Sequence, residues 1–113
     1  MEKMIEHGLL YDFYGELLTE HQRKIYEDMV YHDLSISEIA QEQGISRQGV
    51  HDLIKRCNNI LEGYEEKLRL VARFQEVKAK VCYISSLAEE EAVEADRLRQ
   101  EIKKVSGDIL DSL

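Results

Sequence analysis

The chain has no proline, no tryptophan and only two cysteines in its 113 residues. Without proline, no ring interrupts a helical hydrogen-bond ladder. Ala, Leu, Glu, Lys, Gln and Arg, all good helix formers, dominate what remains. No run of alternating β-branched residues argues for a strand, so the expected fold class is all-α. No apolar run approaches the roughly 20 residues needed to span a bilayer, and no secretory leader is recognisable. The expectation is therefore a cytoplasmic chain with no membrane insertion. Cys57 and Cys82 both fall on apolar helical faces, and in a reducing compartment they are expected to be buried thiols rather than a disulfide.

A recognisable catalytic motif is also lacking. There is no glycine-rich phosphate loop, and no nucleophile, base and acid can be assembled into a set. The four histidines are His7, His21, His32 and His51. Asp28 and His32, four apart, can share a helix face, but two ligands fall short of the three or four a metal site takes. The chain is expected to be no enzyme and to hold neither metal nor cofactor.

A basic balance is lacking as well. The formal net charge is −8, whereas a protein that grips nucleic acid without sequence preference is usually basic. The charge is uneven. Residues 1–34 carry three Lys/Arg against eight Asp/Glu, residues 35–70 five against six, and residues 71–113 seven against nine. Within 47–56, Arg47, Lys55 and Arg56 outnumber Asp52, leaving a local strip of +2 on an acidic body. So few phosphate contacts release few counterions, so any binding to DNA should be weak and salt-sensitive.

What the chain does contain is organised around Leu34–Arg56, LSISEIAQEQGISRQGVHDLIKR. Ser35 followed three residues later by Glu38 makes a capping box for one helix. Ile36, Ile39 and Ala40 lie on one face of it. Gly44 supplies the left-handed conformation that ends a helix, Ile45 is an apolar plug, and Ser46 caps the next helix. That helix turns Val50, Leu53, Ile54 and Cys57 inward. The same spacing turns Arg47, Gln48, His51, Lys55 and Arg56 outward, where a helix-turn-helix carries its recognition residues. Arg47 and Gln48 stand at the end that usually reaches base edges, Arg suiting guanine and Gln adenine. Double-stranded DNA is the partner this face suggests.

Before this stretch, residues 2–17 place Ile5, Leu9, Leu10, Phe13, Tyr14 and Leu17 on one broad helical face. Thr19 and Gln22 form a capping box for a second helix, which turns Ile25, Met29 and Val30 to the core before His32-Asp33 breaks it. The aromatics are expected in the core, with Tyr11 and Tyr31 the two suspected of exposure. After Arg56 the apolar residues run on at four-three spacing through Leu61, Tyr64, Leu68 and Val71, with Gly63 marking a kink or helix junction. A second phase follows at Phe74, Val77, Val81, Ile84 and Leu87 or Ala88. Ser86 with Glu89 suggests another capping box and a last helix from near Leu87, with Glu89-Glu90-Glu91 as its solvated start and Gly107 as its stop. Whether residues 64–105 form a hairpin or one long rod stays open. The domain reading is one all-helical domain over 1–113, with the helix-turn-helix in 1–62 and a helical tail over 63–113. Such a tail either folds back on residues 1–34 or pairs two copies, and a homodimer is the expectation.

Leu18-Thr19-Glu20 with Gln22-Arg23, then Ser37-Glu38-Ile39-Ala40, then Gly44-Ile45-Ser46-Arg47 and Val50 resemble region 4 of bacterial sigma factors. Over nearly the full length, LLYDFYGELLT, ISRQGVHDLIKR and LEGYEEKLRL in that order resemble the YlxM-like family of small bacterial proteins. The resemblance implies a sigma region 4-like helix-turn-helix bundle with long C-terminal helices. It also implies a regulatory role in the signal recognition particle pathway, because genes of this family lie beside those of the particle's GTPases. Two readings follow: a helix-turn-helix DNA-binding regulator, or a non-enzymatic adaptor that binds signal recognition particle components without specific DNA recognition.

Overall fold

The computed structural model describes residues 2–113. Among them are six α-helices, one short 3-10 turn and no strand. The order is α1 (Glu2–Tyr14), the 3-10 turn (Gly15–Leu17), α2 (Glu20–Val30), α3 (Ile36–Gln43), α4 (Arg47–Leu68), α5 (Leu70–Glu89) and α6 (Ala95–Ser112). The chain forms two compact units, Met1–Val71 and Ala72–Leu113.

Local chemistry sets most boundaries in the first unit. α1 tightens into the 3-10 turn at Gly15, where a Cβ would lie 2.7 Å from the Tyr11 ring. Thr19 and Gln22 close the expected capping box on α2, with Gln22 N donating to Thr19 Oγ1 at 3.2 Å and Thr19 N to Gln22 Oε1 at 3.0 Å. α2 gives way after Tyr31, and Asp33 takes a positive φ of 54°. The Leu34 amide then donates to the Asp28 carbonyl at 3.0 Å, which folds the connection back under α2. The Asp28 side chain is buried beneath this turn. Its Oδ1 lies 2.9 Å from His32 Nδ1, and its Oδ2 has no hydrogen-bond partner.

The core of this unit is built on α4, which packs against α1, α2 and α3. Val50, Cys57 and Leu61 are fully buried there with Tyr14, Ile25, Tyr26 and Ile39. Burying an aliphatic side chain of this size stabilises by roughly 1.5–3 kcal/mol. The apolar seam that begins at Val50 is thus spent, in its α4 part, on the chain's own N-terminal helices. Around it the tyrosines bury their rings and keep their hydroxyls bonded. Tyr26 donates to Asn58 Oδ1 at 2.5 Å, and Tyr14 to Glu65 Oε1 at 2.5 Å. Tyr11 donates to the Glu27 carboxylate.

Several expectations need correction. α1 buries Leu10 and Tyr14, but Ile5 and Phe13 are exposed, because α2 and α4 cover only part of its apolar face, and Leu17, expected on the same face, is exposed in the 3-10 turn. Tyr31 is exposed as suspected, whereas Tyr11 is buried, stacked on Tyr26 with ring centroids 5.5 Å apart. Gly63 lies inside an unbroken α4. The junction falls instead at Arg69, which has a left-handed φ of 57° and donates its amide to Glu65 O at 2.9 Å. A glycine permits a kink; here tertiary contacts select a different residue. The first amides of α5 are met from elsewhere, Leu70 N by the Tyr14 hydroxyl at 3.2 Å and Val71 N by Glu65 Oε1 at 2.9 Å.

In the second unit, α5 and α6 form a hairpin. They are joined by residues 90–94 and bridged by Tyr83 donating to Glu101 Oε2 at 3.1 Å. Leu87 and Val105 are its buried residues. The Ser86 capping box does not form. Ser86 lies inside α5 and donates to the Tyr83 carbonyl at 2.7 Å; Glu89 is the last residue of that helix, and Glu90 and Glu91 lie in the connection rather than at the start of the next. α6 opens at Ala95 and runs through Gly107 to Ser112. Both cysteines are free; Cys57 is buried as expected, but Cys82 lies on an exposed face of α5.

Candidate nucleic-acid interface

α3, a tight turn and the start of α4 make the helix-turn-helix. Ser35 and Glu38 close their capping box at 3.1 Å in both directions. Gly44 ends α3 at φ 67°, ψ 31°, and its amide donates to the Ala40 carbonyl. The Ile45 amide donates to the same carbonyl at 3.1 Å. Ile45 stays partly exposed at 37%, so it covers the turn without sealing it. Ser46 Oγ accepts the Gly49 amide at 3.0 Å and starts α4.

α4 is held from behind. Val50, Ile54 and Cys57 are buried, and the Tyr26 to Asn58 hydrogen bond ties the same stretch to α2. Desolvation of the buried ring raises the Tyr26 hydroxyl well above its ordinary pKa, so it stays a donor. Burial likewise pushes the Cys57 thiol up, against a smaller opposing effect of the Arg56 charge. α4 is thereby held through its inner face while its outer face stays exposed.

Arg47, Gln48, His51, Lys55 and Arg56 are all exposed along the first three turns of α4. The arrangement has one internal constraint. Gln48 Nε2 donates to Asp52 Oδ1 at 3.0 Å, so the amide expected to meet a base is engaged by a carboxylate one turn on. Asn59, also exposed, extends the same sector by another turn. Glutamine and aspartate four apart are a readable helix pair, and that was the available signal for the constraint.

Two capped helices joined by a left-handed glycine, with the second presenting an exposed polar face, define a helix-turn-helix protein. The family follows from comparison. This chain belongs to the family described as "Putative helix-turn-helix protein, YlxM / p13 like" (UPF0122), whose sequence profile matches residues 1–105. It is 53% identical over 73 residues to a UPF0122 protein of Caldanaerobacter subterraneus subsp. tengcongensis, covering 65% of this chain and 62% of that protein. A UPF0122 protein of Thermoanaerobacter pseudethanolicus matches to the same extent, with 53% identity over 73 residues. A UPF0122 protein of Bacillus cereus is 42% identical over 105 residues, covering 93% of this chain and 92% of that protein. Among the described residues no helix is long and apolar enough to cross a membrane.

Proposed function

We propose that this chain is a non-enzymatic regulator in the cytoplasm that touches double-stranded DNA through α4. The observation that carries this reading is the exposed row Arg47, Gln48, His51, Lys55 and Arg56 on a helix whose opposite face is buried. A helix of this kind enters the major groove with its N-terminal residues nearest the bases. Arg47 then suits the O6 and N7 of guanine, and Gln48 suits adenine once it leaves Asp52. His51, Lys55 and Arg56 lie farther along, where phosphates run beside the groove.

Charge sets the strength. Three cations give a log–log salt slope of about −3 at most, at roughly −0.9 per phosphate. A mobility-shift titration at low salt should therefore show weak binding that disappears as salt rises. Arg47→Ala combined with Lys55→Ala should abolish it. No shift at high protein concentration in low salt would end the proposal for the isolated chain.

The acidic body of the chain, net −8, favours a second reading. Here the protein is an adaptor in the signal recognition particle pathway, bound to a basic protein or ribonucleoprotein surface. A pulldown with RNA and protein identification tests it. Unchanged particle GTPase activity across a titration with this protein would count against it.

A further inference from the structure

The outer face of α4 has an acidic residue at its centre. With each helical residue advancing about 100° around the axis, Asp52 stands about 10° from the direction opposite Val50, Ile54, Cys57 and Leu61, the residues buried behind it. Gln48 stands about 30° from that direction, and Lys55 and Arg56 about 50° from it, one on each side. All four are exposed. Gln48 Nε2 donates to Asp52 Oδ1 at 3.0 Å, which holds the carboxylate on the face between the two cations. Asp52 is also the one carboxylate in residues 47–61.

A helix that enters the major groove along this line brings Asp52 to the base edges and Lys55 and Arg56 toward the phosphates on either side. A carboxylate accepts hydrogen bonds and donates none. Set against phosphates, or against a guanine edge whose O6 and N7 are both acceptors, it is repelled. Only a base amino group satisfies it, cytosine N4 or adenine N6. The two differ in what lies beside the amino group. Adenine N6 stands between two acceptors, its own N7 and the O4 of the paired thymine. Cytosine N4 has an acceptor on one side only, the O6 of the paired guanine.

We propose that Asp52 reads the amino group of a cytosine in the major groove, and that Gln48 positions its carboxylate. This rests on the reading of α4 as the helix that meets DNA, and it adds a base preference to that reading. Gln48 engages one oxygen of Asp52, and a carboxylate with about four acceptor sites keeps capacity for the base. With the pair closed, Gln48 is a positioning residue rather than a reader of adenine. Holding the carboxylate in place before binding removes part of the ordering cost at the interface. The pair thereby gives a weakly cationic face a sequence preference, which phosphate contacts alone do not supply.

The test uses the full chain at low salt and a pool of duplexes with a randomised core, of which those retained by the protein are sequenced. The wild type should enrich cytosine at one position. In competition, a duplex with cytosine there should outbind its adenine counterpart by about fivefold or more, the scale of one good base contact. Asp52→Asn keeps the shape but presents an amide that pairs with adenine, so the enriched base at that position should change to adenine. The same variant should bind the unselected pool more tightly, because a negative charge leaves the face; that gain separates a changed preference from a damaged fold. Gln48→Ala should lower the cytosine preference several-fold, a readout that mere support of the helix would not move. Cytosine still enriched by Asp52→Asn overturns the proposal, and an undiminished preference in Gln48→Ala overturns the part given to Gln48. A pool retained with no enriched cytosine overturns the proposal and leaves the DNA reading standing. No retention of any duplex ends both.

Discussion

The Tyr14 hydroxyl donates to Glu65 Oε1 at 2.5 Å, which ties α1 to the last turns of α4. The same hydroxyl accepts the Leu70 amide at 3.2 Å, and the same carboxylate oxygen accepts the Val71 amide at 2.9 Å. One side-chain pair therefore joins two helices and caps a third. Burial is the largest influence on the Tyr14 hydroxyl, and it raises its pKa, as does the bond to Glu65.

Tyr14→Phe keeps the ring and removes the hydroxyl, leaving Glu65 one donor short and the Leu70 amide without its acceptor. The expected cost is about 1–3 kcal/mol, the usual penalty for unsatisfied buried groups. Urea denaturation should show a lower midpoint at an unchanged slope. A midpoint equal to that of the wild type would mean that water replaces the hydroxyl at no cost.

Tyr31 is pushed up to about 12, first by its hydrogen bond to Asp12, then by partial burial and the Asp12 charge. An acid whose folded pKa lies above its unfolded value of about 10 contributes stability that is complete below pH 10. That contribution is lost as the pH rises toward 12. Asp12→Ala should return Tyr31 toward the ordinary value and shift the tyrosinate absorbance titration to lower pH. Tyr31→Phe identifies which step belongs to this ring. Superimposable wild-type and Asp12→Ala curves would show that the bond is not kept in solution.

Two glycines should respond in opposite directions. A Cβ at Gly15 meets three atoms of the Tyr11 ring at 2.7–2.9 Å, and that ring is buried against Tyr26 and cannot move aside. Gly15→Ala should destabilise by about 1–3 kcal/mol, as overpacking does. Gly107 lies inside α6 with nothing within 4 Å of an added Cβ. Gly107→Ala should stabilise by up to about 1 kcal/mol, through helix propensity. Thermal melts of the two variants check the signs.

Asp52 both occupies Gln48 and subtracts positive charge from the outer face of α4. If α4 meets DNA as proposed, Asp52→Ala should tighten binding several-fold in a low-salt mobility shift, because it frees the glutamine and removes a repulsive carboxylate. Unchanged or weaker binding would indicate that the pair positions Gln48 rather than withholding it.

The parts of this protein that are legible in the sequence are those decided within one helical turn. Thr19 with Gln22, Ser35 with Glu38, and Ser46 with Gly49 bond across three residues. Gly44 carries its own backbone preference. These short contacts defined the helix-turn-helix and its exposed row Arg47–Arg56 before any packing was known. The Gln48 to Asp52 pair was equally local and equally readable.

Where contacts reach across the chain, spacing alone was not enough. It marked an apolar seam through Val50, Leu61 and Val71, but it did not say whether α1 and α2 or a second copy covers it. The tertiary structure decided for α1 and α2 over α4, and left Phe74, Val81 and Ile102 of the hairpin exposed. Burial of Tyr11, exposure of Cys82 and the break at Arg69 rather than Gly63 were settled in the same way. The physical reason is range. A cap bonds to its own neighbours and so is written in a few consecutive residues. A buried face or a helix break depends on partners such as Tyr14 and Glu65, 51 residues apart, whose meeting only the assembled fold determines.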